Sequence, residues 1–164
     1  HMRAPAPRSN DVEGFFMRKY RIVIRTIVVA LAATLMMSLA APSAQAVTRA
    51  EKDVAWRINN EHYKARLRSL AVWESLSNTA RNHSCAMARS ESLYHNRSLT
   101  RQVSGWRILG ENVAVGYDLY AIHRAWMNSP AHRDNIMEPR YTALGVGICK
   151  SASGALYVTT IFFR

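Results

Sequence analysis

Two histidines and one glutamate stand in settings too specific for ordinary core patterning. They are His95 in Leu93-Tyr94-His95-Asn96, Glu111 in Gly110-Glu111-Asn112, and His132 in Trp126-Met127-Asn128-Ser129-Pro130-Ala131-His132-Arg133-Asp134-Asn135-Ile136. Two neutral imidazoles and a carboxylate are competent zinc ligands, and such a set leaves a coordination position open for water. Zinc would bring the pKa of that water towards neutrality and make it a nucleophile. Without metal, Glu111 can pair with one imidazole and fix its tautomer, an arrangement that suits general base catalysis. His95, Glu111 and His132 are therefore the candidate cleft residues, His95 and His132 the candidate zinc ligands, and Glu111 the candidate catalytic group. Tyr94, Asn112 and Asn135 are candidate hydrogen-bond partners behind them. No serine or cysteine stands in a recognisable nucleophile motif. The same residues also suit a purely architectural network, with Glu111 accepting backbone N–H groups and His132 pinning a turn.

The elements that must position these groups are legible on either side. Thr48-Arg49-Ala50-Glu51 reads as a capping box that opens a helix running to about Leu67, with Val54, Ile58 and Ala65 facing inward. A short apolar segment, Leu70 to Trp73, follows it. A second helix starts near Glu74 or Ser75, and Leu76, Ala80, His83 and Met87 fall on one face of it. His83, on that apolar stripe, reads as a hydrogen-bonded core histidine. Tyr94 to Arg107 has no clear period and reads as a long loop, the kind of segment that is usually functional in a compact domain. Gly105, Gly110 and Gly116 punctuate the region. Asp118 can cap a third helix with Leu119, Ile122 and Trp126 on its buried side, and Ser129-Pro130 ends or kinks it. Asp134 to Met137 adds one more turn. The period then changes to two. Leu144, Val146 and Ile148 alternate with Gly145, Gly147 and Cys149, Ser151 to Gly154 turns, and Ala155 to Phe163 returns as a strand apolar enough to be central. Helices first and an antiparallel hairpin last make an α+β domain.

The N-terminus reads as targeting sequence. Residues 1–16 read as a tag or upstream segment without periodicity. From Met17, the basic run Arg18, Lys19, Arg21 and Arg25 precedes a nearly unbroken apolar stretch, Thr26 to Ala41, and the small-x-small site Ala44-Gln45-Ala46. Residues 17–46 thus have the layout of a secretory signal peptide, and only an uncleaved signal segment would tie the chain to a membrane. Residues 47–164 are enough for one core and one domain, expected to be an extracellular monomer. They carry sixteen Lys and Arg against nine Asp and Glu, a net charge of +7. The cations are scattered, which suits a solvated surface or an anionic partner such as an acidic cell-envelope polymer or lipid headgroups. Nucleic acid is not an expected partner, because no binding motif accompanies the charge.

The chain has two cysteines, Cys85 and Cys149. In an exported protein an even count suggests a disulfide; two buried thiols are the alternative. Cys85 lies roughly 180° from the apolar stripe of its helix at about 100° per residue, so a bridge requires that flank to be covered by another element.

The chain as a whole resembles the CAP superfamily, the cysteine-rich secretory, antigen and pathogenesis-related proteins, and in particular its exported bacterial branch. The resemblance runs from Val54 to Phe163. Ile58-Asn59, Leu70, Trp73, Leu76, Ala80, His83 and Met87 look like the family's first two helices. Leu93-Tyr94-His95-Asn96 and Gly110-Glu111-Asn112-Val113 look like its first site histidine and site glutamate. Trp126 to Ile136 looks like its second site histidine, and Tyr141-Thr142-Ala143-Leu144-Gly145-Val146-Gly147 like the glycine-bearing strand after it. The resemblance implies a three-layer α-β-α sandwich with an antiparallel central sheet and a cleft on one side. The family cleft often holds a second glutamate three residues after the tryptophan; here that residue is Ser129, which counts against a four-ligand metal site. The resemblance implies an extracellular binding module for lipid, sterol, cell-envelope or host-surface ligands, or else a metal-assisted hydrolase or peptidase working in the same cleft.

Overall fold

The computed structural model describes residues 46–164. The expectations for residues 1–16 and for the signal segment lie outside the described residues. The chain forms helix α1 (Arg49–Lys64), strand β1 (Ala71–Val72), helix α2 (Glu74–Ser90), the short helix α3 (Leu99–Gln102) and strand β2 (Leu109–Gly116). Helices α4 (Leu119–Asn128) and α5 (Pro130–Met137) and strands β3 (Ala143–Lys150) and β4 (Leu156–Phe163) complete it. The sheet order is β1-β3-β4-β2. Among the described residues no helix is long and apolar enough to cross a membrane.

The three long strands form the expected antiparallel sheet, and a short parallel edge strand makes it mixed. β2, β4 and β3 are antiparallel neighbours, but the two-residue β1 joins β3 in parallel, pairing Ala71 with Ala143. β1 is preceded by a clip from α1: the Asn59 amide donates to the Leu70 carbonyl and its oxygen accepts the Leu70 N–H. That clip sets the direction in which the chain enters the edge. Strand β2 is a second difference from the sequence reading, since Gly-Glu-Asn at its start obscures the period of two carried by Val113 and Val115.

Alternation distributes the strand residues between two helical layers. Leu144, Val146, Val158 and Phe162 pack against α1, α4 and α5 through Val54, Ile58, Ile122, Trp126 and Ile136. The opposite face meets α2 through Leu76, Ala80, Ala143 and Ile161 in one cluster and Met87, Ala88, Val113 and Tyr157 in another. The result is an α+β, three-layer α-β-α sandwich. Gly145 and Gly147 allow the close fit of α2. A Cβ at Gly147 would come within 2.0 Å of the Arg81 backbone nitrogen, and one at Gly145 within 2.4 Å of the Leu76 carbonyl carbon.

The helix termini follow the sequence. Thr48 and Glu51 exchange both capping-box bonds, and the Asp118 carboxylate accepts the Ala121 N–H. Ser129 ends α4 and begins α5, with Pro130 at the first helical position. The first helix, however, stops at Lys64 rather than near Leu67, and Ala65 is its exposed cap rather than a core residue. His62 takes the inward position and lies between the Arg68 and Ile136 carbonyls.

Cys85 and Cys149 are joined, tying α2 to β3. The flank that carries Cys85 is covered because the buried face of α2 is broader than its apolar stripe. Ser77, Arg81, Ser84 and Ala88 are buried as well, which brings the buried arc round towards Cys85. Ser84 donates to Gly147 O, and Ser77 accepts the Val146 N–H. Arg81 forms a two-bond ion pair with the fully buried Glu51, which also accepts the Ile148 N–H. Burial works to raise the Glu51 pKa, but the Arg81 and Thr48 hydrogen bonds bring it below the ordinary value.

Candidate functional site

The site sits at the free edge of β2, where both layers reach the edge strand. Register divides its residues. Glu111 pairs with Ile161 and therefore faces the α2 side, whereas Asn112 pairs with Thr160 and faces the α1, α4 and α5 side.

On the α2 side, the chain leaving α2 brings His95 over Glu111. His95 Nδ1 lies 2.8 Å from Glu111 Oε1, and the same oxygen accepts the Asn96 N–H at 2.9 Å. Glu111 is buried, its side chain only 6% exposed, while that of His95 is 63% exposed. The arrangement anchors one imidazole nitrogen at depth and leaves Nε2 for a ligand. The second carboxylate oxygen, Oε2, is buried without a protein partner. Tyr94 packs on His83. Its carbonyl lies 2.8 Å from His83 Nε2, and its ring meets that imidazole edge to face. His83 is thus a hydrogen-bonded core histidine that fixes the start of the site loop. The segment expected to be a plain loop contains α3, which Asn96 introduces by accepting the Ser98 N–H.

On the other side, α5 supplies His132 and Asn135. Asn135 donates to the Glu111 carbonyl and to Asn112 Oδ1, and Asn112 in turn donates to the His132 carbonyl. Asn112 and Asn135 thus lace α5 to β2. Gly110 permits this approach, since a Cβ there would collide with the Tyr141 hydroxyl at 2.2 Å and crowd Asn135. His132 Nδ1 lies 2.8 Å from the Ser129 hydroxyl. Ser129, the residue in place of the family's second glutamate, is thus engaged in orienting His132. Burial first, and then the nearby His95, hold the His132 pKa below the ordinary histidine value.

The structure brings His95 and Glu111 into contact and His132 to the same edge, but the three side chains do not meet at one point. Among the described residues no three His, Cys, Asp or Glu side chains form a group that could hold a metal ion. His95 spends one nitrogen on Glu111, and His132 spends one on Ser129. Each imidazole keeps Nε2 uncommitted, so the set offers two ring nitrogens and one carboxylate oxygen without being gathered into a ligand cage. Its chemistry is that of hydrogen bonding and charge: two half-engaged imidazoles, a buried carboxylate with one unused oxygen, and exposed Leu93 and Tyr94 beside His95.

Sequence reasoning missed several buried polar groups. The Glu51–Arg81 pair was visible only as a capping box. His62 and His123 sit on helices whose apolar neighbours gave no sign that a histidine was buried among them.

Comparison with known proteins agrees with this architecture. A sequence model of the cysteine-rich secretory protein family, CAP, matches residues 54–162. The chain is 34% identical over 123 residues to the YkwD protein of Bacillus subtilis (strain 168), a match covering 69% of this chain and 47% of that one. The chain therefore spans about half the length of that relative. An extracellular SCP-domain protein from Bacillus anthracis str. Ames is similar in structure, with a TM-score of 0.63 and 26% identity over 70% of this chain and 40% of that one. An outer surface protein from Borrelia burgdorferi shares the fold at a TM-score of 0.66 and 17% identity, over 73% and 96% of the two chains. With the family's helices, glycine-bearing strand and three-layer sandwich all in place, the chain belongs to the CAP family, in its bacterial form.

Proposed function

We propose that this protein is an exported, non-enzymatic binding module whose ligand is an anionic or polar-headed lipid held at the β2 edge. The observation that carries the reading is His95. Its imidazole is exposed, is anchored through one nitrogen on the buried Glu111, and follows two exposed apolar residues, Leu93 and Tyr94. A polar headgroup can accept from or donate to the imidazole nitrogens while its apolar part lies on Leu93 and Tyr94. The net charge of +7 on residues 47–164 favours an anionic partner. Export is supported by the signal-like layout of residues 17–46 and by the disulfide, which belongs to an oxidising compartment.

Enzymatic readings have less support. The Ser129 hydroxyl is hydrogen-bonded to His132 Nδ1 and offers no carboxylate for a metal or a proton. The test is co-sedimentation with phosphatidylglycerol vesicles, with sterol-doped neutral vesicles and with an insoluble cell-wall preparation. Binding to a lipid surface that His95→Ala weakens supports the proposal. Retention on the cell wall alone moves the ligand to an envelope polymer. Cleavage of a peptide library or of cell-wall fragments that Glu111→Ala abolishes would replace the proposal with the hydrolase reading.

A further inference from the structure

A polar pocket lies between α1 and α4 and shares no residue with the β2-edge site. It holds about 210 Å³ and is lined by Trp56, Arg57, Asn60, Glu61, Lys64, Tyr120 and His123. Three features distinguish it from ordinary surface. First, Trp56 and Tyr120 present large rings to solvent, 61% and 54% exposed, on adjacent helices. Second, the Arg57 and Arg124 guanidinium groups stand 5.4 and 5.9 Å from the Tyr120 ring centre, and Lys64 lines the wall. Third, His123 is only 6% exposed, yet neither of its ring nitrogens has a hydrogen-bond partner in the protein. Glu61 Oε1 is 3.6 Å from His123 Nε2, beyond hydrogen-bond reach, and its closer partner is Lys64 at 3.0 Å.

Such a buried, unsatisfied imidazole at the base of a pocket is rare, because buried polar groups are nearly always paired. It offers one donor and one acceptor in its neutral form. We propose that Trp56, Tyr120 and His123 form a binding site for a sugar ring of an acidic glycan. A pyranose presents a C–H face that can lie on an exposed indole or phenol ring, and hydroxyls that both donate and accept. His123 and Asn60 match those hydroxyls. Arg57, Lys64 and Arg124 outnumber the local carboxylates, Asp53 and Glu61, and match a uronate or other acidic substituent on the ring. A peptide backbone also donates and accepts, so an acidic peptide is the competing occupant that the polyglutamate control below tests. The site goes beyond the lipid reading of the β2 edge and does not depend on it.

The experiment is a titration of the full chain with hexagalacturonate, with neutral cellohexaose and polyglutamate as controls. It is read from the Trp56 Nε1–H and Tyr120 ring resonances by NMR. The proposal expects saturable shifts at Trp56 and Tyr120 with hexagalacturonate, weaker shifts with cellohexaose, and an affinity loss of at least ~10-fold in Trp56→Ala. His123→Gln is a second variant. Trp56 is exposed, so its truncation tests the site even if His123→Gln fails to fold. The proposal is overturned if no shift appears at about 10 mM sugar, the weak end of measurable affinity. Polyglutamate moving the same resonances equally, with Trp56→Ala without effect, overturns it too by assigning the face to general electrostatic attraction. Cellohexaose binding as tightly as hexagalacturonate removes the acidic part of the assignment.

Discussion

Replacing Glu111 by alanine separates the two roles that its carboxylate combines. Glu111 Oε1 accepts the Asn96 N–H at 2.9 Å and lies 2.8 Å from His95 Nδ1. A hydrogen bond to a charged acceptor contributes about 1.5–3 kcal/mol, and the Asn96 bond is of this kind. The His95 contact counts for less, about 0–1 kcal/mol, because that imidazole is mostly exposed. Against these gains stands the buried Oε2, which has no protein partner and whose burial costs about 1–3 kcal/mol. Glu111→Ala removes both the bonds and that cost, so the net loss is only about 1 kcal/mol. At a urea slope of about 1–3 kcal/mol per molar, the midpoint falls by about 0.3–1 M with the slope unchanged. The local signature is sharper than the global one. Hydrogen exchange at the Asn96 amide speeds up strongly in Glu111→Ala, and in Glu111→Gln it stays close to the parent, since the amide oxygen still accepts. An unchanged urea midpoint together with unchanged Asn96 protection would refute the reasoning that Glu111 holds the His95 loop in place.

Other perturbations test the frame around the site. Replacing Cys85 and Cys149 by serine opens a loop closed at a sequence separation of 64, for which chain entropy alone predicts a loss of about 4 kcal/mol in urea unfolding. Gly147→Ala places a Cβ against backbone rather than a movable side chain; it costs at least the ~1–3 kcal/mol typical of overpacking and lowers the thermal midpoint accordingly. Stability also depends on pH through His123, whose pKa is lowered mainly by burial, with Glu61 acting in the opposite sense. The unfolded chain takes up a proton near pH 6.5 and the folded one only below that. This contribution is therefore complete above about pH 6.5 and is lost as pH falls below it. Urea midpoints at pH 7.5 and 5.5 should differ less in His123→Gln than in the parent.

The site residues were legible because each stands in a local signature: a histidine after Leu-Tyr, a glutamate between Gly and Asn, a histidine after Ser-Pro-Ala. The helices announced themselves through Thr48, Asp118 and Pro130, whose capping chemistry is local and therefore visible in sequence. What stayed hidden depends on contacts between distant segments. β1 is a strand only because Asn59 turns Leu70 onto the edge of β3. The buried face of α2 includes Ser77, Arg81 and Ser84 because glycines across the sheet bring backbone groups within reach of their side chains. No periodicity of apolar residues encodes that. Likewise, spacing suggested a common site for His95 and His132, whereas strand register turns Glu111 towards the His95 loop and Asn112 towards the helix that carries His132.

The central proposal is that the β2 edge, which carries the His95–Glu111 pair and adjoins the His132 helix, is the ligand-binding face. It is tested most directly by following both imidazole rings by NMR while the protein is titrated with dihexanoylphosphatidylglycerol below its micelle concentration. The account predicts that His95 and His132 shift together and saturate at one ligand concentration, with the Asn96 amide following them. Saturable binding that leaves both rings unmoved, or rings that respond to zinc but not to the lipid, would contradict it.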